Sequence, residues 1–207
     1  MKTYLTDPFS WEAPVSVMML AVILLSSLYG LYNRRYFMKM ILHPFGIVKN
    51  KEYYRLFTSD IIHNDYGHLM MNAIMYYLVC INLEEHLTER TQFGSIWFML
   101  IYAGSYLTGV MLVTFRHRND FDYSSAGASG SIMGCLMSFM ILKPDYIGLY
   151  LPVIGGIRNI YLPLVFFVAM FIYQYRSKNK LMNNELHFYS AVGGIAATFV
   201  IFPEIII

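Results

Sequence analysis

Six apolar blocks stand out between polar positions along the chain, at about 14–32, 67–83, 96–115, 128–142, 162–175 and 186–205. A bilayer core about 30 Å thick takes roughly 20 apolar residues in a helix rising 1.5 Å per residue. The blocks therefore predict six membrane-crossing helices. Pro14 suits the first turn of the first one. A long polar and aromatic loop runs from Asn33 to about Tyr66, and "EEHLTER" is expected to end the second span. "RHRNDFDYSS" leads into the fourth span, which stops at Lys143-Pro144. A connection bearing Gly and Pro, "DYIGLYLPVIGGIRN", precedes the fifth span, and the basic "RSKNK" precedes the sixth. The second and fourth blocks are short and carry polar residues at or just inside one end. Polar groups at membrane depth are expensive and normally face a protein interior or a wet cavity. His68 and Asn72, Ser129 and His187 are expected to face one such cavity.

Composition sharpens this picture. The 207 residues are 57% hydrophobic and 14% charged, with a mean hydropathy of +0.47. A soluble domain averages about 45–50% apolar and about 25% charged. One polytopic helical bundle over residues 1–207, embedded in the lipid bilayer, is the expectation. The net charge of +2 includes no dense basic run, so no nucleic-acid partner is expected. Cys80 and Cys135 both lie inside apolar blocks and read as packed free thiols. The first block exceeds the roughly 7–15 residues of a signal-peptide core and reads as a retained span.

Candidate chemistry lies in three places. His63, His68 and Asn72 are spaced H-x4-H-x3-N, and on a helix His68 and Asn72 share a face. Taken alone, such a pair reads first as polar glue between helices. H-E-x-x-H is absent, and no metal site is expected. Gly127-Ala128-Ser129-Gly130 sets a serine near a helix start, where unpaired N–H groups and the dipole stabilise an oxyanion. Gly130-x3-Gly134 is also a small-residue packing motif, and the two readings stay open here. His187 heads the last span, and Ser190 and Gly194 make a small-residue stripe that lets this span press against the fourth. No acid is expected beside His187 at membrane depth, so any catalytic unit is a dyad. All six Asp residues fall in expected loops or tails. Arg55 and Glu84 read as loop-fixing groups in solvated or interfacial salt bridges, and His43, His86 and His117 as surface or interfacial residues.

Taken in order, "YYRLFT", "HNDYGHLMMN", "GASG" and "HFYSAVGG" resemble the rhomboid family of intramembrane serine proteases. The connection between the fourth and fifth blocks is similar as well. The resemblance implies an all-α, six-transmembrane-helix rhomboid-like bundle that cleaves transmembrane or juxtamembrane segments of membrane proteins without a cofactor. It implies Ser129 as nucleophile and His187 as general base and acid. His68, Asn72 and the Ser129 N–H would form the oxyanion hole, with Gly127 and Gly130 flanking the serine. It puts His63 nearby, gives Arg55 a part in fixing the first loop, and makes Glu84 a structural acid at the end of the second span. Three positions depart from the family pattern: Tyr54 stands for Trp, Met133 for the aromatic that packs on the base, and Ser190 for Gly.

Orientation reads two ways. Lys2, Arg90, Lys143 and Arg158 lie on one side of the expected spans, while eleven Lys and Arg lie on the side of loops one, three and five. The charge rule puts those odd loops in the cytoplasm; the family's topology puts them outside it. Chain length and the lack of targeting extensions point to a bacterial inner (cytoplasmic) membrane. The rivals to a protease are a catalytically inactive rhomboid-like protein that binds membrane helices and a small transporter. An inactive relative typically lacks the Ser or the His, and a transporter typically shows repeated halves. Here both residues are present and no repeat stands out.

Overall fold

In the computed structural model the described residues are 12–151, 155–162, 164, 168 and 184–205. Pro14 opens α1 (Pro14–Tyr32), as its fixed φ and missing N–H suit a first turn. The first loop is not irregular. It folds into α2 (Arg34–Met40), α3 (Pro44–Asn50) and α4 (Arg55–Thr58), followed by a 3₁₀ turn at Ser59–Ile61. Asn33 caps α2 by accepting the N–H of Tyr36, and Asp65 caps α5 (Tyr66–Tyr76) by accepting that of His68.

"EEHLTER" does not end the second helix. A π-helical stretch at Tyr77–Ile81 leads straight into α6 (Asn82–Arg90). The reason lies in the neighbours of Glu84. Its carboxylate is fully buried and accepts the N–H groups of Val15 at 3.2 Å and Ser16 at 2.6 Å. It thus serves as an anionic cap on the first turn of α1, where orphan donors and the positive dipole end favour a negative charge. The residues alone suggested a solvated or interfacial salt bridge for Glu84; the buried cap instead accords with the structural acid that the resemblance implies.

The third and fourth expected spans correspond to α7 (Gly94–Arg116) and α8 (Ser129–Leu142), and the sixth to α9 (Asn184–Ile201). Of these, α1 and α7 are long and apolar enough to cross a membrane, and α8 is a shorter apolar helix. The fifth expected span, 162–175, lies outside the described residues except for Leu162, Leu164 and Val168. One segment departs from the all-helical expectation. Ile147–Leu151 (β1) and Gly155–Arg158 (β2) pair antiparallel, with Leu151 opposite Gly155. Ile147 and Tyr150 are residue types that favour strands, and Gly155, at φ +87°, takes a backbone conformation that glycine adopts easily.

Helix α7 is the post of the bundle, packing along both α8 and α9, which also pack on each other. Glycines set that closeness. A methyl on Gly194 would sit 2.6 Å from the Cα and carbonyl carbon of Gly134, and one on Gly193 would sit 2.7 Å from Thr108 Cβ. Ser138 Oγ fastens the crossing by donating to the carbonyls of Gly134 (3.0 Å) and Gly194 (3.2 Å). Ser190, which stands where the family pattern has Gly, is fully buried. Its hydroxyl lies against the bare α-carbons of Gly109 and Gly130. Cys80 and Cys135 are buried free thiols, as expected.

One carboxyl group breaks the apolar interior. Asp60, in the connection between α1 and α5, is buried and accepts hydrogen bonds from Tyr102 Oη of α7 and Ser131 Oγ of α8. No cation is ion-paired with it among the described residues. Burial, only partly offset by the two hydroxyls, raises its pKa from 3.8 to about 6.

Two outcomes are expected. Gly194→Ala must push α9 off the α8 backbone, costing about 1–3 kcal/mol, the usual cost of overpacking. Thermal unfolding in detergent measures it, and an unchanged midpoint would refute the close crossing. Asp60 holds its proton more tightly folded than unfolded, so its contribution to stability is full below about pH 4 and is lost as pH rises through about 6. Relative to Asp60→Asn, the wild type should lose on the order of 3 kcal/mol over that window. A pH-independent difference between the two proteins would contradict this burial.

Candidate active site

Ser129 is the first residue of α8 and His187 lies in the first turn of α9. Because glycines let these helices approach, Ser129 Oγ and His187 Nε2 lie within hydrogen-bond distance, at 2.7 Å. His187 is buried, whereas Ser129 is half-buried and reachable. No carboxylate is ion-paired with His187 among the described residues. The nearest acid in sequence, Glu185, binds Arg116 Nε and His117 Nε2 instead, each at 2.9 Å. That pairing ties the start of α9 to the end of α7. His117, read as surface or interfacial, is half-buried, and its ring stacks on Tyr123 at 3.9 Å.

Immediately before the serine the chain makes a turn that only glycine adopts easily. Gly127 has φ +117°. A methyl there would also lie 2.8 Å from His68 Cε1 and 3.2 Å from Asn72 Nδ2. His68 and Asn72 therefore border the serine's turn from one face of α5, as their spacing predicts. Gly130 has no room for a side chain either, since a methyl would sit 2.8 Å from Ser190 Oγ.

His63 is fully buried and acts as the hub. Its Nε2 lies 2.8 Å from Asn72 Nδ2 and 3.4 Å from the Ala128 N–H. Both neighbours are donors, so Nε2 must be the acceptor and Nδ1 must carry the proton. That proton goes to Ser27 Oγ at 2.9 Å, and Ser27 in turn donates to the Ile61 carbonyl at 3.1 Å. The chain is consistent only for a neutral ring. Burial first, and the neighbouring His68 second, push His63 down to about 3. One amide proton of Asn72 is used here, leaving the other for the cavity. His68 Nδ1 meets Asn64 Oδ1 at 2.7 Å, so its Nε2 is the atom left for a ligand.

Arg55 is buried and does more than pair with Glu52, at 2.6 Å. Its Nη1 donates to the carbonyls of Met38 and Ile41, both at 2.9 Å. The next residue, Leu42, exchanges two backbone hydrogen bonds with Ser125, which leads into the serine's turn. Arg55 thus fixes the first loop as expected, and the loop in turn holds the approach to Ser129. Met133 is half-buried on α8, one turn beyond Ser129 and on the same face. Glu84 lies apart from this cluster, at the N-terminus of α1.

Sequence reasoning missed Ser27, Asn64, Asp60 and Ser131. Three are short polar residues without a motif of their own. Asp60, as part of "TSDIIH", passes for a loop residue by position. Only the folding of that loop into the bundle reveals it.

A family model described as Rhomboid domain matches residues 50–204. Two proteins of Bacillus subtilis (strain 168) are similar. YdcA, a candidate rhomboid protease by its name, is 35% identical over 99 residues, 46% of this chain and 45% of YdcA. The rhomboid protease GluP is 30% identical over 110 residues, 53% of this chain and 20% of GluP. The matched stretch thus spans less than half the length of either relative. The family match runs unbroken from before Arg55 to beyond His187 and covers most of the sequence, and the chain therefore belongs to the rhomboid family.

Proposed function

We propose that this chain is a single-domain, six-span intramembrane serine endopeptidase that cleaves transmembrane or juxtamembrane segments of membrane proteins. The observation that carries this reading is the 2.7 Å hydrogen bond between Ser129 Oγ and His187 Nε2 across the α8–α9 crossing. A serine hydroxyl is a weak nucleophile until a base takes its proton, and this is the geometry that activation needs. The protease names of the two relatives support the same reading, and their bacterial source supports an inner-membrane location.

In this mechanism Ser129 Oγ attacks the scissile carbonyl carbon while its proton passes to His187 Nε2. The carbonyl oxygen becomes an oxyanion beside the first turn of α8. The Ser129 N–H and the unused amide proton of Asn72 stabilise it without any change of protonation. His68 adds a third hydrogen bond once its Nε2 carries a proton, a form that the oxyanion's charge favours. Collapse of the intermediate expels the amine, which takes the proton from His187. Water, deprotonated by the same imidazole, then hydrolyses the acyl-serine. The two-step acyl transfer uses no metal or cofactor.

The test is cleavage of a model transmembrane substrate in proteoliposomes. Ser129→Ala and His187→Ala should reduce turnover to background. Asn72→Ala should lower kcat by about 10²–10³-fold, the usual effect of removing one oxyanion donor, with a much smaller change in KM. Cleavage persisting in the serine variant would sink the reading.

A further inference from the structure

The serine's turn is fastened to one short strut. The Gly127 N–H donates to the Ser59 carbonyl at 2.9 Å and the Ala128 N–H to His63 Nε2 at 3.4 Å. Ser131 Oγ donates to Asp60 Oδ1. Three attachments within five residues of α8 and its lead-in thus meet three residues between positions 59 and 63. The strut is itself grounded on the post of the bundle. Asp60 Oδ2 accepts from Tyr102 Oη at 2.5 Å, and Ser59 Oγ lies 2.8 Å from Tyr106 Oη, one turn further along α7.

Helix geometry gives the Asp60 link a particular role. Residues 129 and 131 differ by about 200° around α8, so their side chains leave the helix on nearly opposite sides. Ser129 reaches toward α9 and its base, and Ser131 reaches back to Asp60. The first turn of α8 is held from both sides. The link on the Ser131 side is a charge-assisted hydrogen bond inside a dry interior, a kind stronger than neutral pairs. Carrying a carboxylate to that depth without a cation partner among the described residues is costly.

We propose that Asp60 is a positioning residue for the nucleophile: through Ser131 on α8 and Tyr102 on α7, it fixes the placement of Ser129 Oγ relative to His187 Nε2. The inference rests on the reading of Ser129 and His187 as the reacting pair. Asp60 touches neither substrate nor the reacting atoms. Its effect lies in the rate of attack by Ser129, where misplacement by about 1 Å can cost up to about 10²-fold.

The experiment measures the second-order rate of fluorophosphonate labelling of purified full-length protein, with folded fraction and melting midpoint recorded separately. Asp60→Ala and Ser131→Ala should each slow labelling by about tenfold or more per folded molecule. The double variant should be no slower than Asp60→Ala alone, because either substitution breaks the same link. Asp60→Asn keeps an oxygen for Ser131 and should restore most of the rate. With the transmembrane substrate, kcat should fall and KM should hold. Labelling at the wild-type rate in folded Ser131→Ala, or additive effects in the double variant, would overturn the proposal while leaving the Ser129–His187 reading intact. If Asp60→Ala does not fold, Ser131→Ala and Asp60→Asn still decide. A wild type that labels at no serine would overturn both readings.

Discussion

The site depends on how closely α8 and α9 approach each other. Two helices with ordinary side chains between them pack about 8–10 Å apart, and a serine on one reaches a histidine on the other only when small residues draw the backbones together. Gly130, Gly134 and Gly194 do this here, with Gly109 of α7 accommodating the Ser190 hydroxyl from the far side. The packing reading and the chemical reading of the Gly-Ala-Ser-Gly stretch are therefore one reading. Glycines that look like a scaffold feature bring Ser129 within 2.7 Å of its partner.

Close packing alone does not orient the Ser129 side chain. The remaining control comes from the first loop, which is a folded part of the bundle. Its buried Arg55 gathers the carbonyls of Met38 and Ile41, its Leu42 pairs with Ser125, and its His63 receives the Ala128 N–H. In a membrane interior each unmade hydrogen bond is expensive. A network in which His63 has one consistent tautomer therefore specifies the turn before Ser129 more sharply than apolar contacts would. Glu84 applies the same logic elsewhere, using a buried acid to seat the start of α1.

Much of this was legible in the sequence, for identifiable reasons. Hydrophobic runs mark α1, α7 and α8 within a residue or two, because lipid and core both demand apolar side chains. The i, i+4 spacing of His68 and Asn72 puts them on one face, and the structure keeps them there. The end of the second helix was placed too early. "EEHLTER" looks like an exit into water, yet Leu83 and Leu87 face the core and Glu84 faces a helix start, so polarity was a poor guide to depth. The partner of His117 was not legible, because Glu185 is 68 residues away. Asp60 and Ser131 were invisible for the same reason, since neither has a local signal and their bond joins positions 71 residues apart.

The most direct test of the account is to find the atom that reacts. Purified protein in detergent is treated with a fluorophosphonate probe, digested, and its adduct located by mass spectrometry. The account predicts a single modified serine, Ser129, and loss of the adduct when His187 is replaced by alanine. An adduct on another serine, or labelling of Ser129 that is indifferent to His187, would contradict it.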